Sequence, residues 1–224
     1  MNLNNSTLAI LQNLASINPN LIVERGSILR SVSESKSIIA EVTLDAEFPQ
    51  DFGIYDLSEF MSAVGLVDDA ELSFKEKFVE ITNGALTARY FFSDISVLTR
   101  APTSESIAEK VGDPVVSFNL SKETIKKLSQ ACGVLKMNKI QFKTDDGVVK
   151  ASVVDTDNPT GNSFSVIVGE YDGEDFEFTV LFSNLKFIHG DYKVEFMNTK
   201  MPIGRFTNLD AGMNILYWVA FERK

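Results

Sequence analysis

One cysteine and one histidine stand among 224 residues. Cys132 has no partner for a disulfide within the chain, which points to a reducing, intracellular setting. The sequons at Asn5 and Asn119 carry no weight there. With His189 alone, a His-rich metal site is out, and Ser-His-Asp or Cys-His chemistry would have to run through that residue. His189 stands in Phe187-Ile-His-Gly-Asp191, a turn-like stretch before a strand, where a capping or surface role is the plain reading. No apolar run reaches the length of a membrane span. Met1-Asn-Leu-Asn-Asn5 does not read as a secretory leader. Gly-x-Gly-x-x-Gly, the P-loop and Gly-x-Ser-x-Gly are all missing. Asp155-Thr-Asp-Asn-Pro-Thr-Gly161 opens like a calcium loop but departs from it at Pro159, Thr160 and Val166, so a turn is expected. No catalytic residue, metal ligand or cofactor is expected, and enzyme function has weak support.

The chain is long enough for one large domain or two small ones and for a core that needs no staple. Apolar residues make up 44 % and charged residues 23 %, which excludes wholesale disorder, collagen and coiled coil. The net charge of −10 is uneven. Residues 1–112 hold eight Lys/Arg against 16 Asp/Glu; residues 113–224 hold 13 against 15. The first half repels polyanions, while the second can present a basic face.

Each half reads as helix, strands, helix, strands. In the first, Asn4–Thr7 offers caps for a helix with Leu8, Leu11, Leu14 and Ala15 on one face, ended by Pro19. Strands follow at 21–23, 28–32, 38–44 and 52–55. Asp56 then caps a helix over 57–67, and strands at 71–74, 79–82 and 86–92 close the half, with Asn83-Gly84 as a hairpin turn. Residues 100–114, with Pro102, Gly112 and Pro114, read as a linker. In the second half Ser121 caps a helix bearing Ile125, Leu128, Cys132 and Leu135. Strands are expected at 140–143, 148–154, 163–168 and 176–182, then a short helix from Ser183 holding Leu185, Phe187 and Ile188. Strands at 192–197, 204–207 and 215–222 end the chain. Aligning Thr7 with Thr124 superposes the leading helices, with Leu8 on Ile125, Leu11 on Leu128 and Ala15 on Cys132. The expectation is a two-fold repeat with domains 1–108 and 109–224 in the α+β class, each with two helices on antiparallel sheet.

On the second leading helix Lys122 and Lys126 share a face with Ser129, Gln130 and Gly133; Lys127 lies about 100° round. A solvated helix face is the ordinary reading. Yet under the repeat these positions match Asn5, Ala9, Gln12, Asn13 and Ser16, an uncharged stripe of the first helix. Two equivalent stripes free of carboxylates, in a chain with 31 acids, suit a surface that avoids negative charge. Contact with nucleic-acid phosphates is one such surface.

Three tracts, Thr7–Asn18, Ile54–Leu72 and Val168–Phe178, resemble the sliding clamp of T4-like bacteriophages, and the similarity runs in order along nearly the whole chain. It is weakest over 100–116 and in the last twenty residues. The resemblance implies a DNA-clamp fold in a homotrimeric ring of six similar domains encircling double-stranded DNA without sequence preference. It implies a processivity factor that tethers the replicative DNA polymerase, is opened by an ATP-driven clamp loader, is phage-encoded and acts in the cytoplasm of the infected bacterium. A role in late transcription belongs to that phage group. No membrane partner is expected. Lys122 and Lys126 would face DNA, with Lys127, Lys136 and Lys186 as further candidates. The first helix departs from the pattern in having no Lys or Arg for a basic inner wall.

Clamps of this kind generally dock partner peptides in an apolar pocket outside the second domain, and Ile215–Phe221 is apolar on both alternating faces. Tyr217 and Trp218 are the candidates to line it. Two other readings compete: an acidic mimic of DNA, which the pI near 4.7 favours and the carboxylate-free helix faces oppose, and an enzyme with an unrecognised site.

Overall fold

The computed structural model describes residues 1–224 apart from 157, 159, 199, 201, 223 and 224. The chain divides into two compact units, Met1–Thr103 and Ser104–Lys224.

In the first unit, α1 (Asn5–Ile17) starts where the Asn4 side chain accepts from the Thr7 amide and stops before Pro19. Its buried residues are Thr7, Ile10, Leu11, Leu14 and Ile17. Leu8 and Ala15, expected inside, are half-buried, because the apolar stripe is wider than one heptad face. Strands β1 (Leu21–Val23), β2 (Gly26–Val32), β3 (Ile38–Phe48) and β4 (Phe52–Ile54) form one antiparallel layer in the order β4-β1-β2-β3. Helix α2 (Leu57–Gly65) is capped by Asp56, whose carboxylate accepts from the Ser58 and Glu59 amides at 2.9 and 3.1 Å. It packs on α1 and buries Leu57, Phe60 and Val64. A second layer, β5 (Glu71–Phe74), β6 (Phe78–Thr82) and β7 (Thr87–Phe91), is paired in sequence order. The Asn83 side chain ties the β6–β7 turn, and Gly84 takes φ +89°, where a Cβ would be strained.

The second unit opens with a helix inside the expected linker, α3 (Ser104–Val111), of which only Ile107 is buried. A boundary at residue 108 would cut this helix; the compact units divide before Ser104. Strand β8 (Val116–Leu120) alternates buried and exposed residues and was not foreseen. Helix α4 (Lys122–Leu135) follows, then β9 (Lys139–Asp145), β10 (Val148–Val153), β11 (Phe164–Glu170) and β12 (Glu177–Leu181), paired as β11-β10-β9-β12. The expected helix at Ser183 is absent: Phe182–Asn184 makes one 3-10 turn and residues 185–188 are irregular. The Phe187 ring sits within 5.1 Å of those of Tyr192, Phe206 and Tyr217. The amide and carbonyl of Ile188 are taken by the Tyr217 and Tyr192 hydroxyls, groups a helix would need for its own ladder. So short a helix, stopped by Gly190, could not compete. Strands β13 (Tyr192–Met197), β14 (Ile203–Asn208) and β15 (Asn214–Ala220) complete a layer in the order β15-β14-β13-β8. Among the described residues the unit therefore has two α-helices, α3 and α4. Its core is aromatic: Phe196 lies edge-on to Phe118, Phe142, Phe178 and Phe221 at centroid distances of 4.7–5.5 Å.

Candidate nucleic-acid interface

Helix α4 carries the basic face. The Ser121 hydroxyl accepts from the Thr124 amide at 3.1 Å, and Asp191 Oδ1 accepts from the Lys122 amide at 2.7 Å. Leu128 and Cys132 are its buried residues. Burial raises the pKa of the Cys132 thiol, which keeps it protonated. Lys122, Lys126, Gln130 and Gly133 are exposed and Ser129 is half-buried, so the predicted stripe lies open along the helix. Lys127 is also exposed, on the neighbouring flank. Lys136 closes the helix in left-handed conformation, φ +56° and ψ +41°. At a rise of about 1.5 Å per residue it stands roughly 20 Å from Lys122, so the two lysines do not form one cluster. Lys186 is exposed in the irregular tract that runs on to Asp191 and the first turn of α4.

Helix α1 has no charged residue along its 13 positions. Asn5, Ala9, Gln12 and Ser16 are exposed, and they line an open groove of about 720 Å³ with Leu8 and Ala15 and with Ser58, Met61 and Ser62 of α2. Hydroxyls, amides and methyl groups make up its wall, a surface suited to a polyanion only through weak or water-bridged contacts.

Tyr217 and Trp218 are placed where no peptide can reach them: they are 0 % and 1 % exposed. The Tyr217 hydroxyl accepts from the Ile188 amide, and burial drives its pKa far above the usual phenol range. The Tyr192 hydroxyl donates to the Ile188 carbonyl and is pushed up to about 12, again chiefly by burial. Trp218 Nε1 donates to Ser104 Oγ at 2.7 Å, and the Arg205 guanidinium lies 5.5 Å from the indole ring. Both faces of β15 are apolar because both are covered, one by the aromatic core and the Trp218 side by the start of α3 and by Arg205.

An opening of about 530 Å³ in the second unit is lined by Lys139, Gln141, Asp155, Glu177 and Glu222 among others; Lys139 is ion-paired with Glu222 at 3.0 Å. Asp157 and Pro159 of the calcium-like run lie outside the described residues. His189 is exposed in a bend, as its sequence context suggested. The contact that sequence reasoning missed is that of Asp191 with α4: the partners are 69 residues apart, and no local pattern links them.

Comparison with known proteins bears on what these faces meet. Residues 4–91 match the family model described as DNA polymerase processivity factor, and residues 117–223 match that described as gp45 sliding clamp, C terminal. The sliding clamp of Vibrio phage KVP40 is 31 % identical over 226 residues, covering 99 % of both chains. The sliding clamp of Enterobacteria phage T4 is 28 % identical over 87 % of this chain and 86 % of its own. Among solved structures, A. fulgidus PCNA, bound to the C-terminal region of FEN-1, superposes with a TM-score of 0.70 over 97 % of this chain and 95 % of its own, at 12 % identity. A Helicobacter pylori beta clamp gives 0.69 over 97 % of this chain and 64 % of its own, also at 12 %. These last two likenesses bear on fold alone.

Proposed function

The chain belongs to the sliding-clamp family of DNA polymerase processivity factors, non-enzymatic scaffolds with a two-domain clamp fold, and from that membership we propose that its α1 and α4 faces line a ring closed around duplex DNA. The observation that carries this reading is the pair of matched, carboxylate-free stripes, Asn5/Ala9/Gln12/Ser16 on α1 and Lys122/Lys126/Ser129/Gly133 on α4. Lys122 and Lys126 are the principal phosphate contacts; Lys127, Lys136 and Lys186 act at longer range, within about 8 Å at physiological salt. The faces offer lysines and small uncharged groups and no arginine, which suits loose backbone contacts and a ring that slides.

Three copies of the chain form the ring. Strand edges support a head-to-tail arrangement. The outer edge of β5 is bonded to Met1 through both groups of Leu72, and that of β12 accepts the Glu222 amide at Thr179. Among the described residues β7, β8 and β11 have ladder partners on one side only. Of these, β7 and β11 carry an exposed apolar residue, Phe91 at 66 % and Ile167 at 61 %. Because the two edges lie in different units, β7 of one copy joining β11 of the next is a heterologous contact, which generates rings when the rotation closes. In this reading the ring tethers the replicative polymerase, is opened by an ATP-driven loader and works in the cytoplasm of a phage-infected host. The phage origin of the relatives supports that setting. Partner segments dock outside the second domain, at a place other than Tyr217 and Trp218; that a C-terminal segment of FEN-1 is bound to A. fulgidus PCNA supports docking by short segments.

Light scattering with size exclusion tests the assembly: a trimer mass at tens of micromolar is expected, and Ile167→Glu should lower it to that of a monomer. A monomeric parent chain would sink the ring. Retention on nicked circular duplex after loading, and polymerase processivity with loader and ATP, test the function.

A further inference from the structure

We propose that Asp191 is a positioning residue for the lysine face of α4; the proposal rests on the reading of that face as the one toward DNA. Helix α4 has no second α-helix in the place that α2 takes beside α1, because the tract after Asn184 is irregular. That tract instead returns to the helix start, where Asp191 Oδ1 holds the Lys122 amide at 2.7 Å. The tract is built for this contact. Both backbone groups of Ile188 are fixed by the Tyr217 and Tyr192 hydroxyls. Gly190 is buried, and a Cβ there would come within 2.4 Å of Asn208 Nδ2 and 2.7 Å of Asp210 Oδ2. The Asp191 carbonyl accepts the Leu209 amide at 2.8 Å. Three bonds and one close approach thus fix the backbone that carries Asp191 against β13, β14 and β15. The carboxylate in turn fixes the first turn of α4, where Ser121 binds a different amide, that of Thr124. A negative group at a helix N-terminus also complements the helix dipole. Its charge sits beside a residue meant for phosphate, so its value lies in placement and not in attraction.

The acceptor and the charge can be separated. Asp191→Asn keeps an acceptor and removes the charge; Asp191→Ala removes both; Asp191→Glu keeps the charge and displaces the acceptor by one methylene. Hydrogen exchange at the Lys122 amide and retention of the loaded full-length clamp on circular duplex are the two readouts. With Asp191→Ala the Lys122 amide should exchange at least about fivefold faster, the size of a lost helix cap. Retention should shorten by about threefold, an effect of the same order. Asp191→Glu should shift both readouts in the same direction, and it replaces the alanine variant should that one not fold. Asp191→Asn should match the parent in exchange and hold DNA as long or longer. Equal exchange in the Asn and Ala variants, or longer retention in both, overturns the proposal. If Lys122→Glu with Lys126→Glu leaves retention unchanged, the reading of α4 as the DNA face fails. The exchange contrast then decides the anchoring alone, a difference supporting it and equality overturning it.

Discussion

Leu11 of α1 and Leu128 of α4 occupy matching turns and are each 1 % exposed. One step round the helix the match ends. Ile10, Leu14 and Ile17 are buried, whereas their counterparts are Lys127, exposed, Ala131, half-buried, and Val134, 80 % exposed. The side built on Leu11 and Leu128 follows the repeat; the flank does not. On α1, burying each of three large aliphatic side chains contributes roughly 1.5–3 kcal/mol. The same flank of α4 carries a lysine and an open valine and buries far less. The exposed stripe differs in the same sense: uncharged on α1, basic on α4. A duplicated plan has kept its packing register and divided its surface chemistry between an uncharged wall and a basic one.

The comparison breaks most visibly by exchanging residues across the flank. Ile10→Lys should destabilise the chain by about 3 kcal/mol or more, since it removes a buried aliphatic group and leaves an unpaired cation in its place. Lys127→Ile should change stability by no more than about 0.5 kcal/mol. Urea midpoints measure both. Equal shifts would mean that the two flanks share one environment after all.

How much of this was legible in the sequence follows from what each signal reports. Caps and 3.6-residue spacing located α1, α2 and α4 because Asn4, Asp56 and Ser121 act on amides two or three residues away. Alternation located most strands. Helix α3 escaped because it buries Ile107 alone, too little for a periodic signal, and β8 escaped because its alternation is only five residues long, between the linker and the Ser121 cap. The Ser183 helix was expected from apolar residues that in fact serve an aromatic cluster assembled from β13, β14 and β15. The lysine stripe was legible because it is local to one helix. The Asp191 anchor was not, and alternation at Tyr217 and Trp218 gave two apolar faces without saying that both were covered.

A second exchange sharpens the surface half of the comparison. Lys122→Glu with Lys126→Glu should shorten retention on circular duplex by about tenfold near physiological salt and flatten its salt dependence. The trimer should stay intact, because neither residue is buried. Asn5→Lys with Ala9→Lys should lengthen retention and steepen that dependence. If neither pair alters the salt dependence, the stripes are ordinary solvated faces.

The two units also share a smaller device, a cross-strand ion pair on directly opposed residues, and it gives the finest test of how alike they are. Arg30 on β2 faces Glu41 on β3 with Nε–Oε2 at 2.6 Å. Arg205 on β14 faces Glu195 on β13 through two bonds of 2.9 and 2.7 Å to Oε2. The carboxylate of the second pair lies deeper, the Glu195 side chain being 7 % exposed against 19 % for Glu41, although Arg205 is more open than Arg30. Burial alone would raise the Glu195 pKa, but hydrogen bonds and charge from Lys193 and Arg205 outweigh it and hold the carboxyl below its ordinary range. A folded-state pKa below the unfolded one gives stability that is present above the unfolded value, near 4.3, and is lost as pH falls through the folded value. Glu195→Gln should therefore cost about 1.5 kcal/mol at pH 7, the lower end for hydrogen bonds to a charged group. The gap from the parent should close progressively as pH drops below about 4. Glu41→Gln, at the more exposed carboxylate, should cost less at pH 7. Melting curves from pH 7 down to pH 3 measure both. A gap for Glu195→Gln that stays constant through the acid range would assign its cost to packing and not to the paired charge.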